Sequence, residues 1–318
     1  MSAIYIAGHG YHHPAGRHTN ADIVARLSTS ADWIESHTGI LERRRASAEV
    51  DTSDLAVEAI RSALDGSAWS PEDIELLVCA TSTPDTLAPA TASWICEKLE
   101  LGAVPFDMNA SCSGFIYGLA VVDSLMRTRG LSRALLTATE KYSRVVDHDD
   151  RRFEIFFGDG AGALLMQPEA PEVGLELVDV SMSARSQGTG LAVTPVNGFF
   201  SMDGGAIKPI ATELLVRSAT EMLERHGLAI ADLTAFMAHQ MNYRLLEDLV
   251  EALGVSDEQH WHNVQTCGNQ GGAGVLTTLC AGLEQRADAL RDGDMLLLTV
   301  VGSGFTAGSA LLRYVDTR

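Results

Sequence analysis

The sequence predicts an α/β protein made of two similar halves, related by a pseudo-twofold axis, with helices layered on sheets. Two observations support this fold class. Apolar strand-sized segments alternate with helix-periodic segments, which is typical of parallel sheets covered by helices. The same order of segments then occurs a second time along the chain. We therefore expect an N-terminal half at 1–170 and a C-terminal half at 171–318.

The repeated unit is a helix, a strand, a second helix, then a short strand with a small-residue loop, and a third helix. In the first half these segments are Ala56–Leu64, Ser70–Thr81, Ala92–Leu99, Phe106–Gly114 and Phe115–Met126. In the second half they are Ala219–Arg225, Ala231–His239, Tyr243–Leu253, His262–Asn269 and Val275–Leu283. We expect each half to close on a hydrophobic strand and a Gly-rich hairpin, over Gly158–Leu165 and Gly302–Leu312.

Composition excludes several functional classes. The chain has 318 residues, 46% of them apolar, so it is long enough for one large or two fused domains. Its net charge of -19, from 23 Lys+Arg against 42 Asp+Glu, argues against a nucleic-acid partner. No apolar run is long enough for a membrane span, and the N-terminus lacks the features of a signal peptide. The sequence therefore predicts a cytoplasmic protein.

The cysteines and histidines give no metal signature. Five cysteines are scattered without a Cys-x-x-Cys pair, which argues against a disulfide framework or a zinc site. The pairs His12-His13 and His260-x-His262 lack an evident third ligand. We predict neither a metal nor another cofactor.

Cys112 is the candidate nucleophile. It lies in a run of small residues just before an apolar-periodic helix, where unpaired N–H groups and the helix dipole favour a thiolate. The alternative is a buried, inert cysteine, which position alone does not exclude. The inert interpretation is the better one for the cysteines inside strands and helices or at a strand end, namely Cys79, Cys96, Cys267 and Cys280.

The duplication brings three polar residues toward one place. In a pseudo-twofold arrangement equivalent loops meet at the centre, and Cys112 and Asn269 follow their strands at similar offsets. His239 ends a hydrophobic strand, where catalytic groups of parallel sheets are found. We therefore expect Cys112, His239 and Asn269 to converge, although a single histidine is more often structural.

Six motifs in family order carry a resemblance that covers essentially the whole chain. The chain resembles the β-ketoacyl-acyl-carrier-protein synthase III enzymes of the thiolase fold. The motifs are Asp32-Trp33-Ile34 with Thr38-Gly39-Ile40-x-x-Arg43-Arg44, Cys112-Ser113-Gly114-Phe115-x-Tyr117, Phe157-Gly158-Asp159-Gly160-Ala161-Gly162-Ala163, His239-Gln240-x-Asn242, Gly268-Asn269, and Gly302-x-Gly304-x-Thr306-x-Gly308.

The resemblance implies a two-step reaction. Cys112 takes the acyl group of an acyl-CoA, and a malonyl thioester then loses carbon dioxide and attacks the acyl-enzyme. The backbone amides of Cys112 and Ser303 would hold the oxyanion of the first step. His239 and Asn269 would donate hydrogen bonds to the enolate of the second.

The resemblance also implies binding residues and a homodimer. Trp33 and Arg151 would sandwich the CoA adenine, and Thr38, Gly204 and Asn242 would lie along the CoA channel. Tyr142 and Phe157 would line the acyl pocket. Leu87 would reach across the dimer interface to the partner's acyl pocket. The resemblance also makes an acyl carrier protein a candidate partner.

Departures from the family pattern, which include the loop Gln270–Gly274, indicate a specialised member, such as one of a polyketide or other secondary-metabolite pathway. His37 replaces a common Arg, and the segment Met202–Pro209 keeps only the start of its motif. The helix after His239 is acidic where housekeeping enzymes carry lysines, so an acidic carrier protein would be repelled.

Two other functions stay open. One is an acyltransferase that passes the group on Cys112 to an oxygen or nitrogen of a small acceptor. The other is a non-catalytic partner subunit, which the presence of all three predicted catalytic residues argues against.

Overall fold

The computed structural model describes residues 3–318. Strands β1 to β13 are, in chain order, Ile4–His12, Gly16–Thr19, Glu42–Arg45, Leu76–Ala80, Val104–Met108, Ala134–Lys141, Asp159–Gln167, Val173–Ala184, Ala192–Val193, Ser201–Met202, Leu233–Ala238, Met295–Gly302 and Thr306–Asp316. Helices α1 to α10 are Asn20–Val24, Ala31–Thr38, Thr52–Asp65, Thr91–Leu99, Gly114–Arg129, Arg151–Glu154, Gly204–His226, Tyr243–Leu253, Val264–Cys267 and Gly274–Gln285.

The main sheet has nine strands and repeats one order on both sides of its centre. The strands lie in the order β11-β12-β13-β8-β1-β7-β6-β4-β5. Outward from the centre, β1-β7-β6-β4 in the first half matches β8-β13-β12-β11 in the second. In each half the inner pairs are antiparallel, and the outer pairs, β4 with β6 and β11 with β12, are parallel. The α/β class is confirmed, while the boundary between residues 170 and 171 stays a prediction.

Helices α5 and α10 lie at the centre of the molecule. Phe115 and Leu119 of α5 and Leu276 and Leu279 of α10 belong to one apolar core that includes strand residues from both halves. Helices α3 and α4 cover the first half, and α7 and α8 cover the second. Because both central helices are fixed by this core, the loops before them are held close together.

Three local expectations are wrong. The short strand expected at the start of His262–Asn269 is reduced to a single bridge between Phe236 and His260. The amides of Asn263 and Val264 bind the Gln240 side chain instead, at 3.0 and 3.2 Å, so α9 forms and Cys267 ends a helix rather than a strand.

The other two misses concern turns. The strand starts predicted at Ser70 and Ala231 are instead 3₁₀ turns, Pro71–Asp73 before β4 and Ile230–Asp232 before β11. The Ser70 and Ala229 amides bind the Asp73 and Asp232 carboxylates, each at 2.8 Å. In the first half, Gly158–Leu165 is no hairpin, since β7 runs through Asp159–Gln167. The hairpin of the second half is present between β12 and β13.

Candidate active site

One cavity of about 290 Å³ contains all three predicted catalytic residues, Cys112, His239 and Asn269. Further predicted residues line the same cavity, namely Tyr142, Phe157, Gly204, Asn242 and Ser303. The cavity lies where loops of the two halves meet at the N-terminal ends of α5 and α10. The structure thus brings together residues that are far apart in the sequence.

Cys112 is held in a sharp turn between β5 and α5. Residues Ser111–Ser113 form a 3₁₀ turn, and Ser111 has φ 49, a left-handed conformation that costs a non-glycine residue about 1–2 kcal/mol. The β12–β13 hairpin supports this turn, because the Ser113 hydroxyl donates to the Thr306 carbonyl at 2.9 Å. A Cβ atom at Gly302 would lie 2.9 Å from the Ser113 amide nitrogen, so this close approach requires glycine there.

Two neighbouring effects oppose ionisation of the Cys112 thiol. Burial and the nearby Glu140 carboxylate raise its pKa to about 12, and the hydrogen bond between Cys112 Sγ and the Tyr142 hydroxyl, in which either atom can be the donor, opposes them only partly. Burial and the Glu140 charge thus oppose the helix N-terminus, which by itself favours the thiolate. A proton acceptor is needed when substrate arrives.

His239 follows β11 directly, and its main chain is fixed by a bond from its amide to the Thr299 carbonyl at 2.9 Å. Burial lowers its pKa to about 4, so the imidazole is neutral near neutral pH. A neutral imidazole donates from one nitrogen and accepts at the other. Its buried Nδ1 atom has no protein partner among the described residues.

Asn269 is positioned by main-chain bonds to the segment before β7. Its amide donates to the Phe156 carbonyl at 2.8 Å, and its carbonyl accepts from the Gly158 amide at 3.0 Å. Its Oδ1 accepts from the Gly271 amide at 2.9 Å. With the oxygen occupied, the Nδ2 group remains as the side-chain donor available to the cavity.

The acyl-pocket candidates Tyr142 and Phe157 stack on one another, with ring centroids 4.5 Å apart and planes 12° apart. Phe200 packs edge-on against both rings, and sequence analysis missed it. All three side chains are buried. The fixed aromatic rings give this part of the cavity a defined shape.

The predicted CoA residues divide between two places. Trp33 and Arg151 line a separate surface pocket with residues 28–30, and Trp33 is 44% exposed. Trp33 stacks on His37, with ring centroids 4.3 Å and ring planes 20° apart, so an aromatic contact fixes the His37 ring. Gly204 and Asn242 line the main cavity, where Asn242 also caps α8 through the Leu245 amide at 2.9 Å.

Two predicted residues lie outside the cavity. Thr38 is buried, and its hydroxyl donates to the Ile34 carbonyl at 2.7 Å and accepts from the Ile40 amide at 3.0 Å. The Thr38 hydroxyl thus holds the end of α2, and a contact of Thr38 with CoA stays a prediction. Leu87 is 85% exposed and touches no part of this chain's cavity.

Sequence analysis did not identify the cations of the cavity. Lys208 and Arg244 line it, and each is paired with a carboxylate of α8: Lys208 with Asp248 at 2.8 Å and Arg244 with Glu247 at 2.7 Å. In the sequence, the altered end of the Met202–Pro209 motif is the feature that could have identified Lys208. The structure describes no cluster of His, Cys, Asp or Glu fit for a metal ion within residues 3–318. No helix in that range is long and apolar enough to cross a membrane.

Comparisons of sequence with known proteins point to one family. Two models of 3-oxoacyl-[acyl-carrier-protein] synthase III match it, the N-terminal one at residues 106–186 and the C-terminal one at 223–314. A β-ketoacyl-[acyl-carrier-protein] synthase III of Clostridium perfringens is 36% identical, covering 98% of this chain and 100% of the relative.

Solved structures of similar fold belong to the same group of enzymes. The 3-oxoacyl-[acyl-carrier-protein] synthase III of Aquifex aeolicus superposes with a TM-score of 0.92 at 32% identity, covering 98% of this chain and 100% of that one. The priming β-ketosynthase of the R1128 polyketide pathway superposes with a TM-score of 0.89 at 29% identity, covering 99% and 97%. These likenesses confirm the thiolase fold.

Proposed function

This chain belongs to the β-ketoacyl-[acyl-carrier-protein] synthase III family, and from that premise we propose that it moves an acyl group from acyl-CoA to Cys112 and condenses it with a malonyl thioester. The observation that carries the proposal is the shared cavity of Cys112, His239 and Asn269. A nucleophile, a neutral imidazole and an amide donor on one cavity suit covalent catalysis followed by enolate stabilisation.

In the first step Cys112 attacks the thioester carbon, and CoA leaves with its sulfur. Negative charge develops on the carbonyl oxygen, and the backbone amides of Cys112 and Ser303 are the donors we assign to it. Ser303 lies on the cavity beside the nucleophile turn. One such donor typically lowers the barrier by about 3 kcal/mol.

In the second step the malonyl thioester loses carbon dioxide, and its enolate carbon attacks the acyl group. His239 and Asn269 donate hydrogen bonds to the enolate oxygen. His239 can take this role because burial keeps its imidazole neutral near neutral pH. A neutral imidazole still has one N–H group to donate to the enolate oxygen. No metal or other cofactor takes part in this scheme.

CoA would enter past Trp33 and Arg151, which offer a half-exposed indole and a guanidinium for stacking on adenine. Gly204 and Asn242 would line the path of the pantetheine arm. In the homodimer that we propose, Leu87, which is 85% exposed in this chain, would reach the partner's acyl pocket.

The acceptor could instead be a small hydroxyl or amine compound, with the same Cys112 intermediate and His239 as its base. The paired cations of the cavity favour this second candidate. Lys208 and Arg244 are both neutralised by α8 carboxylates, so little positive charge is left to attract an acidic carrier protein. The R1128 relative is the priming β-ketosynthase of a polyketide pathway, and a priming role of that kind fits either acceptor.

Intact-protein mass spectrometry after incubation with a panel of acyl-CoAs tests the first step. We expect an added mass equal to one acyl group, located by digestion on Cys112. Addition of malonyl-CoA should then release the adduct as a condensed product. A protein that takes no acyl group from any member of the panel would contradict the proposal and favour a non-catalytic partner subunit.

A further inference from the structure

A buried carboxylate lies behind the nucleophile, and the two steps above do not use it. Glu140, near the end of β6, is 0% exposed. It accepts hydrogen bonds from the Ser82 hydroxyl at 2.9 Å and from the Thr83 hydroxyl at 2.7 Å. Burial of a carboxylate is costly, and neutral donors offset that cost only in part.

A chain of hydroxyl groups joins this carboxylate to the nucleophile. The Tyr142 hydroxyl oxygen lies 3.9 Å from Cys112 Sγ and 3.1 Å from Ser82 Oγ. Ser82 Oγ in turn lies 2.9 Å from Glu140 Oε1. The Tyr142 ring is fixed by its stack on Phe157, so its hydroxyl is held between the thiol and Ser82.

We propose that Tyr142, Ser82 and Glu140 form a proton relay that deprotonates Cys112; this inference rests on the proposed acylation step. The thiol proton moves to the Tyr142 oxygen, the Tyr142 proton to Ser82 Oγ, and the Ser82 proton to the Glu140 carboxylate. The thiolate attacks the thioester carbon, and the bond to the CoA sulfur breaks. The proton then returns through the same hydroxyls to the departing CoA thiolate, so none is gained or lost.

His239 is the competing acceptor, and two arguments favour Glu140. Burial raises the pKa of Glu140 to about 7 and lowers the pKa of His239 to about 4, so Glu140 holds a proton more readily. Transfer to His239 would also create a cation and an anion in a buried cavity. The relay keeps a single negative charge and only changes its location.

The groups around Glu140 limit what else could titrate there. Cys79 of β4, Cys112 and Tyr142 all have pKa values raised in part by the Glu140 charge. Its other contacts are neutral donors, among them the Gly272 amide. An ionisation near neutral pH that changes Cys112 reactivity is therefore assigned to Glu140.

The test measures the rate at which iodoacetamide alkylates Cys112 across the neutral pH range, read by intact mass. We expect the wild-type rate to rise with pH through an inflection near 7, because the relay accepts a proton only when Glu140 is ionised. Glu140→Gln and Tyr142→Phe should each remove the inflection and slow alkylation about 10-fold or more, as for a lost general base.

Whether Glu140→Gln slows or speeds the alkylation of Cys112 distinguishes a proton relay from simple repulsion between the Glu140 carboxylate and the thiolate. If Glu140 only repels the thiolate, its neutral replacement lowers the Cys112 pKa and speeds alkylation, which would overturn the relay. Ser82→Ala should alkylate more slowly than the wild type, because the relay loses a hydroxyl group. Ser82→Thr should restore the wild-type alkylation rate, because it restores that hydroxyl. Tyr117→Phe is the matched control, because the Tyr117 hydroxyl donates elsewhere, to the Ser183 carbonyl at 2.8 Å.

Acylation by acetyl-CoA is measured as a separate arm on the same proteins. We expect Tyr142→Phe to acylate about 100-fold more slowly while retaining its fold, since the ring stack stays. Wild-type protein that acylates without any pH inflection overturns the relay and leaves the proposed function intact. Wild-type protein that shows the inflection but takes no acyl group contradicts the proposed function instead.

Discussion

The loops before the two central helices share one backbone conformation but supply different side chains to the cavity. In the first half the Asn109 side chain accepts from the Ser111 amide at 2.9 Å, and in the second the Asn269 side chain accepts from the Gly271 amide at 2.9 Å. Both turns continue through a left-handed residue, Ser111 with φ 49 and Gly271 with φ 53, into a 3₁₀ turn and a helix.

The difference lies in which side chain each loop supplies. The first loop places Cys112 after its left-handed residue, and the second places Gly272 there. A Cβ atom on Gly272 would lie 3.1 Å from the Ser111 carbonyl oxygen and 4.0 Å from the Cys112 Cα atom. One half therefore carries the nucleophile, and the other omits a side chain so that the two loops can meet.

Removal of the nucleophile has the largest expected effect. Cys112→Ala should abolish the acyl adduct, because no other loop residue replaces the thiol. The check is intact mass after incubation with the best acyl-CoA of the panel. Cys267→Ala is the control and should acylate normally, since the Cys267 sulfur is buried against His13 at 3.5 Å. An adduct that moves to Cys267 would show that the wrong half was assigned the nucleophile.

The paired asparagines separate catalysis from turn stability. Asn269→Ala should still acylate Cys112 but lose condensation by about 100-fold or more, as for a lost oxyanion donor. Asn109→Ala removes the same turn bond, yet Asn109 does not line the cavity, so condensation per folded molecule should be nearly unchanged. Equal losses in both variants would assign the Asn269 effect to the turn alone.

The fold could be predicted because apolar periodicity and the repeated order of segments are local properties of the sequence. Cys112, His239 and Asn269 could be predicted to converge because the duplication places their loops at the centre. The offsets nevertheless suggested that Cys112 matches Asn269, whereas the structure matches Cys112 with Gly272 and Asn109 with Asn269. Sequence offsets do not reveal which residue adopts the left-handed turn.

Other features depend on contacts between distant segments. The burial of Glu140 behind Tyr142 requires the loop after β4 to fold over the end of β6, and no local pattern encodes that. Thr38 matched a family motif, yet its hydroxyl is used by the α2 main chain. The short α9 forms where a strand was predicted, because the Gln240 side chain, from another segment of the chain, accepts hydrogen bonds from the Asn263 and Val264 amides.

Close approach of the two loops predicts a stability effect at Gly272. Gly272→Ala should lower the free energy of unfolding by about 1–3 kcal/mol, because the added methyl group overpacks the Ser111 carbonyl. Urea unfolding measures it. Gly102→Ala is the control, since a Cβ atom there meets no neighbour within 4 Å. An unchanged stability for Gly272→Ala would mean that the loops separate easily.

The loops after β4 and β11 extend the comparison to the acyl pocket. The second supplies His239 to this chain's own cavity, whereas the first carries Leu87 outward, 85% exposed. In the proposed homodimer Leu87 would lie at the partner's pocket, so Leu87→Phe should shift the preferred acyl chain by about one or two carbons toward shorter groups, by overpacking. The acyl-CoA panel measures the shift, and an unmoved chain-length profile would contradict the proposed dimer geometry.

The smallest expected effect concerns the helices that follow those loops. Helix α4 carries Lys98 in its last turn, whereas α8 presents Glu247, Asp248 and Glu251, two of them already paired with Arg244 and Lys208. An acidic carrier protein approaching α8 meets like charge, which slows the encounter, and added salt screens that repulsion.

Initial rates should therefore be a few-fold lower with malonyl-carrier protein than with malonyl-CoA, and salt should narrow the gap. Glu251→Lys should narrow it further without changing the malonyl-CoA rate, because Glu251 does not line the cavity. Glu224→Lys on α7 gives the same change of charge away from the cavity and serves as the control. A strong preference for the carrier protein that weakens with salt would mean that a basic surface elsewhere receives it, and it would favour fatty-acid initiation over a small acceptor.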